Sequence, residues 1–442
     1  MNKLNRIHKL LFYALLVLLP TQIGLHFWPA WTFVLGRRVD YLSPTLFLTD
    51  IVLFAVLMFW FLDSVKHFRK TKKINKPSKI NLFIFLAVGM LICFIVDNTI
   101  HALSIPVAVL AWVKFFEYIA LGLYIVKTKP RVGIVTVCLG LAMLYSSIIT
   151  IFQFFLQRSI GGILWWLGER TFSIGTPGIA KIALCNLIHS SCPLYLRPYA
   201  TFPHPNVLGG FLGVALLLVG TIPHEDVRKL LPRGVRIQEP LLSFLQFILL
   251  GAGGVSLILT FSRSAWAMVL LAVVAIGISK RVNALKFRAI LGGAIVFFAV
   301  MIFYIFSAHF SDESLIVREQ LNSAAFSIIQ FHPFIGVGLG NFLVALPSFI
   351  PSREVYFLQP AHNIYLLLLS QIGFFGIALL IVFAYFLILQ FKKNGRSFGF
   401  KNKRSVFRIC LLGLLFIGLI DHYSVTLQQG QLLLTLLISM SL

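Results

Sequence analysis

The chain has 442 residues, 59% of them hydrophobic and 12% charged, with a mean hydropathy of +0.92 and a formal net charge of +24. A soluble domain carries about 25% charged residues, so the composition excludes an ordinary soluble enzyme and predicts an all-α, polytopic integral membrane protein. The excess of Lys and Arg does not signal nucleic acid, because the basic residues fall in short links between apolar runs, which is the pattern of membrane topology.

In chain order, apolar runs fall near residues 9–27, 44–62, 82–98, 103–126, 132–156, 204–222, 241–261, 264–279, 288–308, 362–390, 407–423 and 425–442. They predict about 12 transmembrane helices of about 20 residues each in one multi-span domain, 1–442. The first run lacks a small-residue cleavage site, and His26, Trp28 and Trp31 suit an interfacial belt, so it is expected to stay. With the N-terminus inside, inward segments hold 28 Lys and Arg against 9 in outward segments. Both termini are therefore expected in the cytoplasm.

Two outward segments are long. Residues 157–203 hold an amphipathic stretch with paired Trp165 and Trp166, expected to lie in the interface plane. Residues 309–361, between spans 9 and 10, open with an amphipathic helix from about Glu313 to Gln330. Loops of that length are functional or disordered, and the aromatic and aliphatic content speaks against disorder. Among five cysteines, Cys93, Cys138 and Cys410 lie in apolar runs and read as packing. Cys185 and Cys192 share one outward loop and form either a disulfide or two free thiols.

The chemistry concentrates on the outward side. Arg197 precedes TFPHPN, where a helix starts at Pro205 and Asn206. Arg263 lies in a tight hairpin, FSRSAW. Arg318 is on the amphipathic loop helix, and His362 and Asn363 open the next span. The helices starting near 205, 264 and 362 each present unsatisfied N–H groups and about +0.5 charge, which favour anions. Arg guanidinium suits phosphate oxygens in a two-pronged contact, so a diphosphate is the natural guest of Arg197, Arg263 and Arg318. The plainer reading of any one arginine is contact with lipid phosphates. His362 is a candidate general base, since imidazole titrates near neutral pH, although a lone His is more often structural. Asn206 and Asn363 are candidate supporting residues at the helix starts.

Other polar residues read more simply. His204 and His332 precede proline and mark a turn or cap. The outward His residues lack metal-ligand spacing with Cys or carboxylates, so no metal and no cofactor is expected. Gly336 to Gly340 reads as a close-packed turn rather than a nucleotide loop. Lys114 and Glu117, three apart within a span, can pair on one face and either line a cavity or tie helices together. Asp97 and His101 belong to a solvated outer turn.

The stretches LRPYATFPHPNVLGGFLG (196–213), LTFSRSAW (259–266), REQLNSAAFSIIQFHPFIGVGLGNF (318–342) and AHNIYLLLLSQIGFFGI (361–377) resemble the O-antigen ligase and polymerase superfamily of membrane glycosyltransferases. They come in the family's order, with a large outward loop between Arg318 and His362. The resemblance covers residues 196–377; the N-terminal helices match only in hydrophobicity. It implies metal-independent transfer of a glycan from an undecaprenyl diphosphate carrier to a hydroxyl acceptor, on a glycolipid or a protein, at the outer face of the bacterial cytoplasmic (inner) membrane. Besides these, the implied partners are membrane lipids, not nucleic acid. By motif, Arg197, Arg263 and Arg318 bind the diphosphate and His362 activates the acceptor. A ligase is expected; a polymerase of the same superfamily would use the same donor site. The reading from another class is a glycolipid transporter or flippase, against which counts the scarcity of intramembrane carboxylates, with Glu117 the clear case.

Overall fold

The structure, a computed structural model, describes residues 3–71, 82–184, 192–230, 237–279, 293, 312–350, 358–393 and 404–442. Twelve helices of more than ten residues are found there: α1 (Lys3–Leu18), α2 (Leu48–Thr71), α3 (Leu82–Ile100), α4 (Ile105–Thr128), α5 (Val132–Leu156), α6 (Pro205–Thr221), α7 (Glu239–Leu259), α8 (Arg263–Ser279), α9 (Asp312–Phe331), α10 (Ile364–Lys393), α11 (Ser405–Ile417) and α12 (Gln428–Ser441). Within the described residues, α2, α4, α5, α7 and α10 are long and apolar enough to cross a bilayer, and the protein is membrane-embedded. The expected run at 288–308 lies outside the described residues except for Gly293.

Helix boundaries follow local chemistry. Pro106 and Pro205 stand in the first turns of α4 and α6, where a missing N–H costs nothing. Lys129 and Gln157 close α4 and α5 in the left-handed conformation, with φ of 48° and 54°. The Gly336–Gly340 turn packs as closely as its composition suggests. A Cβ on Gly336, whose φ is +75°, would lie 2.3 Å from the Gln371 carbonyl carbon. The turn docks into a break in α10 at Gly373, where Val337 N–H donates to Ser370 O and Gly338 N–H to Gln371 O, both at 3.0 Å.

Two expectations change, at the first apolar run and at the last two, and the loop between α5 and α6 gains detail. The first apolar run does not continue as helix to residue 27: α1 stops at Leu18, before Pro20. Residues 24–47 instead carry antiparallel pairs β1 (Gly24–His26) with β4 (Thr45–Phe47) and β2 (Phe33–Val34) with β3 (Arg37–Arg38). The Trp165–Trp166 pair lies on a 3-10 turn, Gly162–Leu167, followed by a small hairpin of β5 (Lys181–Ala183) and β6 (Leu194–Leu196). The last two apolar runs do not nearly touch: residues 418–427 separate α11 from α12. Asp421 breaks the run because its carboxylate accepts the N–H groups of His422 (2.8 Å) and Tyr423 (3.4 Å). Cys192 is disulfide-bonded, while Cys185 lies outside the described residues.

The core centres on α5 and α6. Of the spans long enough to cross alone, α5 is the most buried, at 61%, against 22% for α7, which turns most of its surface outward. On α6 small residues admit close neighbours: a Cβ on Gly210 would lie 1.9 Å from the Tyr423 hydroxyl, and one on Gly209 would lie 2.9 Å from Ser262 Cβ. This brings the Asp421–Tyr423 turn and the start of α8 to the N-terminal end of α6. Further hydrogen bonds gather the loops at that end of the bundle. Thr201 Oγ1 donates to Pro20 O (2.9 Å), Arg197 Nε to Thr260 O (2.9 Å), Asn363 Nδ2 to Leu419 O (3.2 Å) and Arg318 Nη1 to Ile420 O (3.3 Å).

Candidate active site

A cavity of about 2200 Å³ opens among these loops, lined by Asp40, Tyr41, His204, Asn206, Arg318, His362, Asp421 and His422, among others. That volume exceeds the roughly 300–1,000 Å³ of a single small-molecule site, so it suits a large guest. The expected residues divide into two layers. Arg318, Asn206 and His362 line the cavity, whereas Arg197, Arg263 and Asn363 are not in its lining.

Arg197 belongs to the supporting layer. Its Nη2 donates to Asn206 Oδ1 at 2.7 Å, and its Nε is held by Thr260 O. Asn206 Nδ2 then donates to Asp421 Oδ2 at 2.8 Å. Arg197, Asn206 and Asp421 therefore form a chain joining the 157–203 loop, the start of α6 and the α11–α12 turn. Burial, with the positive fields of Arg318 and Arg263, pushes the Arg197 guanidinium down to about 10. The three arginines thus lie within one another's electrostatic reach, and Arg197 stays charged at neutral pH.

Three histidines surround Asp421. His204 caps α6, its Nδ1 accepting the Asn206 N–H at 3.1 Å. A ring nitrogen that accepts carries no proton, so the neutral His204 ring is protonated at Nε2. In the α11–α12 turn, Thr426 Oγ1 donates to the His422 carbonyl (3.0 Å) and therefore accepts from His422 Nδ1 (2.7 Å). His362 packs edge-on against His422, ring centres 5.0 Å apart. Its Nδ1 is buried and has no hydrogen-bond partner among the described residues, an arrangement rare for a buried polar atom. Asn363 caps α10, its Oδ1 accepting from Tyr365 N (2.9 Å) and Leu366 N (3.1 Å), and so orients the preceding His362.

The electrostatics follow from burial. Burial first, then nearby positive groups, pushes His204 and His362 down to about 3, and burial lowers His422 as well. All three rings are neutral at pH 7. Burial alone would raise the Asp421 carboxyl, but the attraction of the neighbouring histidines in the acid range where they take up protons, His422 first, together with the Asn206 amide, outweighs it and holds the group below its ordinary value. The site is thus an ionised carboxylate within a ring of neutral imidazoles, backed by arginines. Such a site resists extra protons and attracts an anion.

A second polar cluster lies in the same cavity. Lys114 Nζ is 2.7 Å from Asp50 Oδ2, 3.0 Å from Glu117 Oε2 and 3.4 Å from Gln428 Oε1. The expected Lys114–Glu117 pair is present, with Asp50 as a partner that spacing could not show. Asp97 and His101 form an exposed pair at 2.9 Å.

Sequence reasoning missed Asp421 and His422. The available signal was an acidic residue and a histidine directly after the apolar run 409–420, which reads as a span end when boundaries are soft. Tyr41, whose ring meets His422 at 5.6 Å, left no signal. Among the described residues no group of three or more His, Cys, Asp or Glu is arranged to hold a metal ion. Residues 247–381 match a family model described as O-antigen ligase. That stretch carries Arg263, Arg318, His362 and Asn363, while Arg197, Asn206, Asp421 and His422 fall outside it. No curated protein matches the chain.

Proposed function

We propose that this protein, whose residues 247–381 carry an O-antigen ligase region, joins a glycan held on an undecaprenyl diphosphate to a hydroxyl group of a glycolipid or protein acceptor. The reaction takes place at the outer face of the bacterial cytoplasmic membrane. In this reading about 12 spans place both termini in the cytoplasm, and loops 157–203 and 309–361 build the site outside. The observation that carries it is the orphaned Nδ1 of His362 in the wall of a cavity shared with Arg318 and Asp421.

His362, neutral and unpartnered, accepts the proton of the acceptor hydroxyl. The freed oxygen bonds to the anomeric carbon of the donor. The bond from that carbon to the diphosphate oxygen breaks, and its electron pair stays on the diphosphate. Arg318 and the starts of α6 and α10, which line the cavity, stabilise the charge gained by the leaving group, and Arg263 adds its positive field from outside the lining. Arg197 acts one layer back, holding Asn206 and through it Asp421. The incoming diphosphate raises the His362 pKa, because an anion favours the protonated ring, so the base strengthens when the donor is in place. The leaving diphosphate supplies the driving force, and no metal or nucleotide takes part.

The test is purified protein in nanodiscs with a lipid-linked glycan and separate candidate acceptors. A new glycosidic bond on a glycolipid or protein acceptor supports the ligase. Growth of the lipid-linked chain alone would make the protein a polymerase. Movement of the carrier across the bilayer with no new bond would reject transfer altogether.

A further inference from the structure

Two further segments distant in sequence line the same cavity as Arg318 and the histidines. One is the N-terminal stretch with Asp40 and Tyr41; the other is the loop with Trp165, Trp166 and Arg170. They are stitched together. Gln22 Nε2 donates to Gly168 O at 3.1 Å, and a Cβ on Gly168, whose φ is +92°, would lie 2.6 Å from Gln22 N. The loop is built on a buried carboxylate. Glu169, 3% exposed, accepts from Gln153 Nε2 (2.8 Å), Ile160 N (2.7 Å) and Gly161 N (2.7 Å). This scaffold presents Trp165 and Trp166 at 57% and 70% exposure, ring centres 5.0 Å apart and nearly perpendicular.

Two polar side chains in the lining of the same cavity, Asp40 and Tyr41, are uncommitted. Neither the Asp40 carboxylate nor the Tyr41 hydroxyl makes a hydrogen bond among the described residues. Tyr41 touches His422, which touches His362, so whatever lies on Tyr41 is next to the proposed base. A carboxylate here repels a second diphosphate, whereas it and a phenol suit sugar hydroxyls. Indole faces suit the C–H face of a pyranose ring. We propose that Asp40, Tyr41, Trp165 and Trp166 form a subsite for a neutral pyranose of the acceptor, orienting its hydroxyl towards His362. The assignment of this sugar to the acceptor rests on the transfer reading above.

The probes are methyl pyranosides of glucose, galactose, mannose and N-acetylglucosamine, measured on the full chain in nanodiscs by saturation-transfer NMR. At least one is expected to bind saturably. The Trp165→Ala/Trp166→Ala double variant is expected to weaken it about 10-fold, as loss of an aromatic anchor does. Asp40→Asn and Tyr41→Phe, which keep shape and packing, should weaken it about 3-fold each. In transfer assays the same variants should raise the acceptor KM and leave donor affinity unchanged. The proposal is overturned if no glycoside binds, if the double variant binds as the parent does, or if brominated lipid quenches both indoles with no glycoside effect, which would make the pair a membrane anchor. Parent acceptor KM in all variants, with transfer intact, rejects the subsite and spares the transferase. Glycoside binding without transfer keeps the subsite and rejects the transferase.

Discussion

The two polar clusters of the cavity differ in how completely they satisfy themselves. Around Lys114 the accounting closes. The ammonium finds three oxygens, Asp50 Oδ2 also accepts the Phe47 N–H at 3.0 Å, and the Gln428 amide is taken by Tyr118, Thr49 and Asp50. Such a network ties α2, α4 and α12 together and leaves little for a ligand. Around Asp421 three arginines gather near one buried carboxylate and His362 keeps an orphaned nitrogen. Buried ions are costly unless partnered, so a cluster that completes itself reads as structural and one left open reads as a site.

The largest expected effect breaks the open cluster. His362→Ala should slow single-turnover transfer about 100-fold or more while the affinity for lipid-linked glycan stays near the parent's. Equal transfer rates would sink the general-base role. Next, Arg318→Ala should weaken donor binding about 10-fold to 100-fold, the range for a lost hydrogen bond to a charged group. Arg318→Lys should recover little of it, since an ammonium cannot make a two-pronged contact. The closed cluster should respond the other way. Lys114→Met strands two carboxylates and should lower Tm by about 5 °C or more, with donor affinity unchanged in the folded fraction. Loss of donor binding in a well-folded Lys114→Met protein would erase the contrast between the clusters.

A smaller effect comes from pH. His204 and His362 titrate near 3 when folded and near 6.5 when unfolded. Between those values the unfolded chain binds more protons, so stability falls as pH drops below about 6.5. Tm in detergent should decline from pH 7.5 to pH 5. His204→Asn keeps a capping oxygen for α6 and removes one titration, so its decline should be shallower. A parent Tm that is flat across this range would contradict the buried neutral histidines. The smallest perturbation sharpens the frame for both clusters. In a background lacking reactive native cysteines, Ser173→Cys should label with an impermeant thiol reagent in intact cells, and Lys229→Cys after permeabilisation alone. The reverse pattern would put the open cluster in the cytosol.

Much of the helical frame could be read from residues alone, because apolar run length and the placement of Lys and Arg are local properties that the bilayer enforces directly. The same holds for the candidates at helix starts, Arg197, Asn206, Arg263, His362 and Asn363, since capping and turn chemistry act over a few residues. What tertiary structure alone decided is how these groups divide the work. Asn206 reaches Asp421 across 215 positions, and that contact places Arg197 behind the cavity wall, where spacing had put it beside Arg318. Asp50 meets Lys114, and Tyr41 meets His422, because separate helices and loops pack at one end of the bundle. The glycines of α6 permit that approach, and no periodicity in a single chain segment records which distant side chain fills the space they leave.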